Sequence, residues 1–174
     1  MLEIPSAVHR RVLRKPDGRE LVLYGRAPLD DVEAPQAGAA GPRASHLRWH
    51  PLRGEWVVYA GHRQERTFHP PPRWNPLAPA LDPEFPTEVP AGNWQVAVFE
   101  NLFSALGSTS AAPPAIVETA PCGGRTEVIV FTQDPTGSLG GLAPDHLALV
   151  IDVWADRTRA LAAVEDIAYV FPFE

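Results

Sequence analysis

Two arginines three positions apart, in His62-Arg63-Gln64-Glu65-Arg66, are the residues of this chain best suited to chemistry on a charged group. A guanidinium presents a planar fork of N–H donors that matches two oxygens of a phosphate or carboxylate, so a pair beside a histidine reads as an anion clamp. The same five residues equally describe a solvated charged turn, where such residue types usually sit. Other chemistry finds less support. Cys122 is the only cysteine, which excludes an internal disulfide framework. A lone thiol without a fixed partner reads as a small buried or half-exposed residue. His69 lacks companion donors for a metal ion. No catalytic residue is therefore assigned in this chain. Gly123-Gly124 and Gly140-Gly141 lie outside any strand-to-helix phosphate loop and read as turns.

The element that must position the arginines is a hairpin. Leu47 and Trp49 alternate, Pro51-Leu52-Arg53-Gly54 turns, and Trp56-Val57-Val58-Tyr59 resumes, ending just before His62. Upstream, residues 1–28 hold one expected strand, 20–24, after the turn Pro16-Asp17-Gly18, and residues 30–45 read as a mobile linker. Residues 69–93 are too rich in proline for a sheet interior. Further strands are expected at 94–99, 116–119 and 126–132, the last an apolar run suited to burial on both faces. A helix begins at Pro144, with Leu147, Val150, Ile151, Trp154, Thr158 and Leu161 as its core stripe and Arg157, Arg159 and Glu165 outward. A final strand spans 167–174. The pattern is α+β, divided into an N-terminal strand and flexible linker at 1–46 and a domain at 47–174.

Composition sets limits on function. A chain of 174 residues supports one domain with a real core, and its 45% hydrophobic content contains no apolar run long enough to span a membrane. A net charge of -6 argues against a general nucleic-acid surface. The amino terminus has no secretory pattern, so a cytoplasmic location is expected. The 20 prolines and 13 glycines are concentrated in long irregular connections.

Four blocks, in order, resemble the galactose-1-phosphate uridylyltransferases. His50-Pro51-Leu52-Arg53-Gly54-Glu55-Trp56, with His62-Arg63 through Arg66, falls in register with N-P-L-x-G-x-W-x-x-x-x-x-H-R-x-x-R. Residues 98–106 resemble F-E-N-D-F-P-A-L with Leu102 replacing the acid, residues 127–134 resemble E-V-V-V-F-S-x-D-H, and residues 169–174 resemble Y-V-F-x-F-E-N. The resemblance implies a histidine-triad-like open antiparallel β half-barrel with a flanking helix. It implies a ping-pong nucleotidyl exchange between UDP-glucose and a hexose 1-phosphate, in a cytoplasmic homodimer without nucleic acid or membrane. Arg63, Gln64, Glu65, Arg66, Asn101 and Leu102 fall at the substrate-binding positions. The family's zinc is not expected here, because Asn75, Ala78 and Pro135 occupy ligand positions and a tetrahedral site needs N or S donors. The nucleophilic histidine of H-P-H-G-Q is also missing, so the chain reads as an amino-terminal half completed by a complementing carboxy-terminal half. The alternatives are an inactive sugar-nucleotide-binding module and a structural fragment. The same superfamily includes diadenosine tetraphosphate phosphorylases, with a different base choice.

Overall fold

The structure, a computed structural model, describes residues 7–35, 45–63, 75–82, 84, 86–107 and 116–173. Contacts divide the chain into two compact units. The first comprises Met1–Gly38, Pro70–Phe99 and Val128–Glu174, and the second Ala39–His69 and Glu100–Glu127.

The first unit is centred on β2 (Glu20–Gly25) and β7 (Val96–Glu100), antiparallel neighbours with Leu21 opposite Phe99 and Tyr24 opposite Val96. They lie between β1 (His9–Arg14) and β9 (Glu127–Val130) in the order β1-β2-β7-β9. Successive strand residues point to opposite faces. Leu21, Leu23, Ala97 and Phe99 accordingly face Val89 and Trp94 on one side, while Val22, Tyr24, Val96 and Val98 face Leu149, Val150 and Val153 on the other. The second layer comes from α1 (Pro144–Ala162), which starts on a proline suited to a first helical position and carries Asp145 in its first turn. The proline-rich stretch contributes only a two-residue parallel ladder, β5 (Pro79–Ala80) with β6 (Val89–Pro90). Val89 is nevertheless fully buried, and Trp94 donates its indole N–H to the Pro90 carbonyl at 2.8 Å.

The second unit is a three-stranded antiparallel sheet of β3 (Ser45–His50), β4 (Glu55–Ala60) and β8 (Thr119–Pro121), in the order β4-β3-β8. The hairpin has the expected turn. Trp49 pairs with Trp56 and His50 with Glu55, and Gly54 closes the loop at φ +66°, a conformation that glycine adopts without strain.

The α+β class with antiparallel sheets stands, and several local expectations are corrected. β1 was not expected, because its edge position accepts the run His9-Arg10-Arg11 that hides the period of two. Within 30–45, Val32 and Ala34 pack on the core beside Leu29, and the backbone N–H groups of Asp30 and Asn93 each bond the other's side chain, at 2.9 and 3.0 Å. Residues 36–44 lie outside the described residues. β8 starts at Thr119 rather than at Ile116, which is exposed. At the sheet edge, β9 buries only Val130. The buried face of α1 is Leu149, Val150, Val153 and Arg157, while Leu147 and Ile151 are exposed. Arg157 is buried, not outward, because its guanidinium reaches Glu20 on β2 at 3.3 Å. Residues 167–173 form no strand: Tyr169, Phe171 and Phe173 are exposed and stack on one another at 6.3 and 5.9 Å. No helix among the described residues is long and apolar enough to cross a membrane.

Candidate functional site

β4 ends at Ala60 and passes into a single 3-10 turn, Gly61–Arg63, which carries the first arginine of the clamp at an exposed position. Gln64, Glu65 and Arg66 lie outside the described residues. His62 turns back into the unit, where its Nε2 lies 3.2 Å from the carbonyl oxygen of Ser104. The contact fixes the turn bearing Arg63 against the segment bearing Asn101 and Leu102.

That segment, 101–107, is built by local bonding of a kind that suits Asn and Ser in turns. The Oδ1 of Asn101 accepts from the Phe103 N–H at 2.9 Å, and the Asn101 N–H donates to the Thr126 carbonyl at 2.9 Å. The buried Ser104 hydroxyl donates to the Leu106 carbonyl at 2.7 Å and accepts from the Leu106 N–H at 3.1 Å and from the Thr126 hydroxyl at 2.8 Å. Gly107 N–H donates to the Cys122 carbonyl at 3.0 Å, and the Cys122 thiol faces the Ala105 carbonyl at 3.7 Å. Gly124 sits at φ +126°, and a Cβ there would lie 3.1 Å from Leu106. The loop therefore has little freedom. Asn101 has its side-chain oxygen committed, and its Nδ2 amide has no partner among the described residues, so a donor is what it presents.

The structure thus sets His62, the neighbour of Arg63, against the carbonyl of Ser104 in the segment that carries Asn101 and Leu102, a contact the sequence did not signal. His62 was noted as an arginine neighbour, whereas here its ring secures the turn. Ser104 was missed because a serine in a Gly/Ser/Ala loop gives no sign that it will be buried.

Burial pushes the Cys122 thiol above its ordinary range, partly offset by the Ser45 hydroxyl, which makes it a poor nucleophile. The three positions tied to zinc by resemblance lie in turns. Asn75 Oδ1 accepts the Leu77 N–H at 2.9 Å, Ala78 and Pro135 carry no donor atom, and Pro135 follows Asp134, whose carboxylate is bound by Thr136. These side chains do not fit a tetrahedral zinc site.

Residues 39–174 match the family model described as galactose-1-phosphate uridyl transferase, N-terminal domain. The galactose-1-phosphate uridylyltransferase of Streptomyces lividans is 34% identical over 172 residues, covering 92% of this chain and 42% of the relative. That of Thermotoga maritima is 30% identical over 135 residues, covering 74% and 40%. The probable galactose-1-phosphate uridylyltransferase of Drosophila melanogaster is 28% identical over 137 residues, covering 68% and 38%. The chain thus spans about two fifths of the length of these relatives. No solved structure matches it. With the hairpin, the arginine turn and the asparagine segment all inside the matched stretch, the chain belongs to the galactose-1-phosphate uridyl transferase family, as its N-terminal domain.

Proposed function

We propose that this chain is the nucleotide-sugar-binding part of a UDP-glucose–hexose-1-phosphate uridylyltransferase of the histidine-triad-like half-barrel kind, acting as a cytoplasmic dimer. The observation that carries this reading is the His62 to Ser104 contact, 3.2 Å, which ties the Arg63 turn to the Asn101 segment. In this role Arg63, with Arg66 following it, binds the phosphate oxygens of UDP-glucose and offsets charge that builds as the phosphoryl group is transferred. The Nδ2 of Asn101 donates to the nucleotide, while its committed oxygen keeps the amide oriented.

The attacking histidine comes from polypeptide other than these residues. It attacks the α-phosphorus, the bond to the glucose 1-phosphate oxygen breaks, and the uridylyl group rests on the histidine nitrogen. A galactose 1-phosphate oxygen then takes the uridylyl group, giving UDP-galactose and the free histidine. No step involves zinc at Asn75, Ala78 or Pro135.

Titration calorimetry with UDP-glucose tests the binding step. Arg63→Ala is expected to weaken binding by roughly tenfold or more, the scale of a lost hydrogen bond to a charged group. Unchanged affinity in that variant would overturn the reading. Mixing the chain with a polypeptide carrying the His-Pro-His-Gly-Gln motif is expected to give a uridylyl-histidine adduct by mass spectrometry. Binding without any adduct identifies an inactive sugar-nucleotide-binding module instead.

A further inference from the structure

Residues 46, 48 and 50 are alternate positions of β3 and share one face of its sheet. Two of them, with Tyr59 opposite His46 on β4, form an ordered stack. The His46 ring lies on the Tyr59 ring with centroids 5.8 Å apart and planes 17° apart. The Arg48 guanidinium carbon sits 4.4 Å from the centroid of the same tyrosine ring. Arg48 Nε donates to His46 Nε2 at 2.9 Å. An arginine is charged at all relevant pH, so its Nε is the donor and the His46 Nε2 lone pair is the acceptor.

These contacts hold the guanidinium by its ring-facing surface and by its inner nitrogen. They leave the two terminal nitrogens, the fork that grips an oxyanion, with no acceptor among the described residues. The nearest acid along this face, Glu55 opposite His50, is held by Arg53 at 2.6 Å. Opposite Arg48 on the other side is Thr119, which carries no charge. Further along the face, His50 Nδ1 is buried with no hydrogen-bond partner. An exposed arginine ordinarily loses side-chain freedom when it binds, and here much of that freedom is already gone.

We propose that Arg48, braced by Tyr59 and His46, is an oxyanion-binding contact on the three-stranded sheet, separate from the Arg63 turn, which takes the phosphate or carboxylate group of a small ligand through its terminal N–H fork. The site stands on the geometry of the stack and does not rest on the uridylyltransferase reading.

The test is a titration of the full chain with inorganic phosphate, and in a second arm with acetate, at ionic strength held constant with sodium chloride. The readout is the arginine Nε–H resonance of Arg48 in NMR. A saturable shift is expected with phosphate, and a shift with acetate as well extends the site to carboxylates. Arg48→Gln assigns that resonance by its disappearance, and Arg63→Ala leaves the saturable shift in place, which separates this site from the proposed nucleotide site. Tyr59→Leu keeps the guanidinium but removes its platform, and is expected to weaken affinity by about two- to fivefold, the scale of an exposed cation–π contact. Arg48→Gln also serves as a check on the fold: the Trp49–Trp56 signal in near-ultraviolet circular dichroism is expected to persist, and if it is lost, Tyr59→Leu decides. Shifts that do not saturate, or affinity unaltered by Tyr59→Leu, would overturn the proposal.

Discussion

The hydroxyl of Thr126 donates to the hydroxyl of Ser104 across 2.8 Å, inside the loop that carries Asn101. Ser104 is the hub of that loop because it also bonds both the N–H and the carbonyl of Leu106. Ser104→Ala leaves the half-buried Thr126 hydroxyl and the Leu106 N–H without this partner, so we expect a loss of about 1–3 kcal/mol of stability. Urea denaturation measures it. An unchanged midpoint would show that the loop stands without its hub.

Glu88 is predicted to matter far more than its charge alone suggests. Lys15 and Arg19 both converge on it in the interior of the first unit, Arg19 Nη2 at 3.0 Å, and Lys15 also donates to the Glu88 backbone carbonyl at 2.6 Å. Burial drives the Lys15 ammonium below its ordinary range even though Glu88 pulls it back up. Glu88→Gln leaves the buried Lys15 ammonium without its carboxylate, while Arg19 keeps Asp17 at 2.7 Å, and should cost about 3–5 kcal/mol. The exposed pair Arg53–Glu55 supplies the control, since Glu55→Gln should cost under about 1 kcal/mol. Similar losses in the two variants would contradict the assignment.

Tyr24 gives a stability effect with a definite pH window. Burial, reinforced by its hydrogen bond to Asp156 at 2.7 Å, pushes its phenol from 10.0 to about 12. The folded state therefore keeps its proton where the unfolded chain has released it. The contribution is fully present below pH 10.0 and is lost as pH rises through about 12. Lys15 acts with the opposite sign, its unfavourable burial being relieved as pH rises toward 10.5, so the comparison must isolate the tyrosine. We expect the difference in unfolding free energy between the native chain and Tyr24→Phe to shrink across that window. A difference that stays flat with pH would count against it.

Cys122 should be chemically quiet. Its side chain is buried, and desolvation raises the thiol so that little thiolate forms near neutral pH. Labelling by a disulfide reagent at pH 7 is expected to be slow in the folded chain and fast in denaturant. Equal rates would mean that the loop opens readily.

The hairpin was legible because alternation, a tight turn and a glycine at the required position agree in sequence. The register, with Trp49 opposite Trp56, is what the structure adds. The phase of α1 was not legible, because Leu147, Leu149, Val150, Ile151, Val153 and Trp154 make the helix apolar over more than one stripe. Its partner decides between them: Arg157 reaches Glu20, which turns Ile151 outward. β1 escaped notice because charged side chains suit an edge. In the site, the guanidinium types pointed to an anion and Asn101 entered only through the family resemblance, but the His62 to Ser104 contact spans 42 positions of chain, and no local pattern encodes it.

The central strand β2 ends at Gly25, yet its neighbour β7 begins at Val96 and the helix that seals its second face begins at Pro144. The second unit is threaded between these pieces, in two instalments. A nascent chain must therefore hold a very apolar ribbon open until β7 and then the helix have been made, and such distant pairing slows folding. Cleaving the backbone at any one place cannot yield the first unit as a continuous peptide.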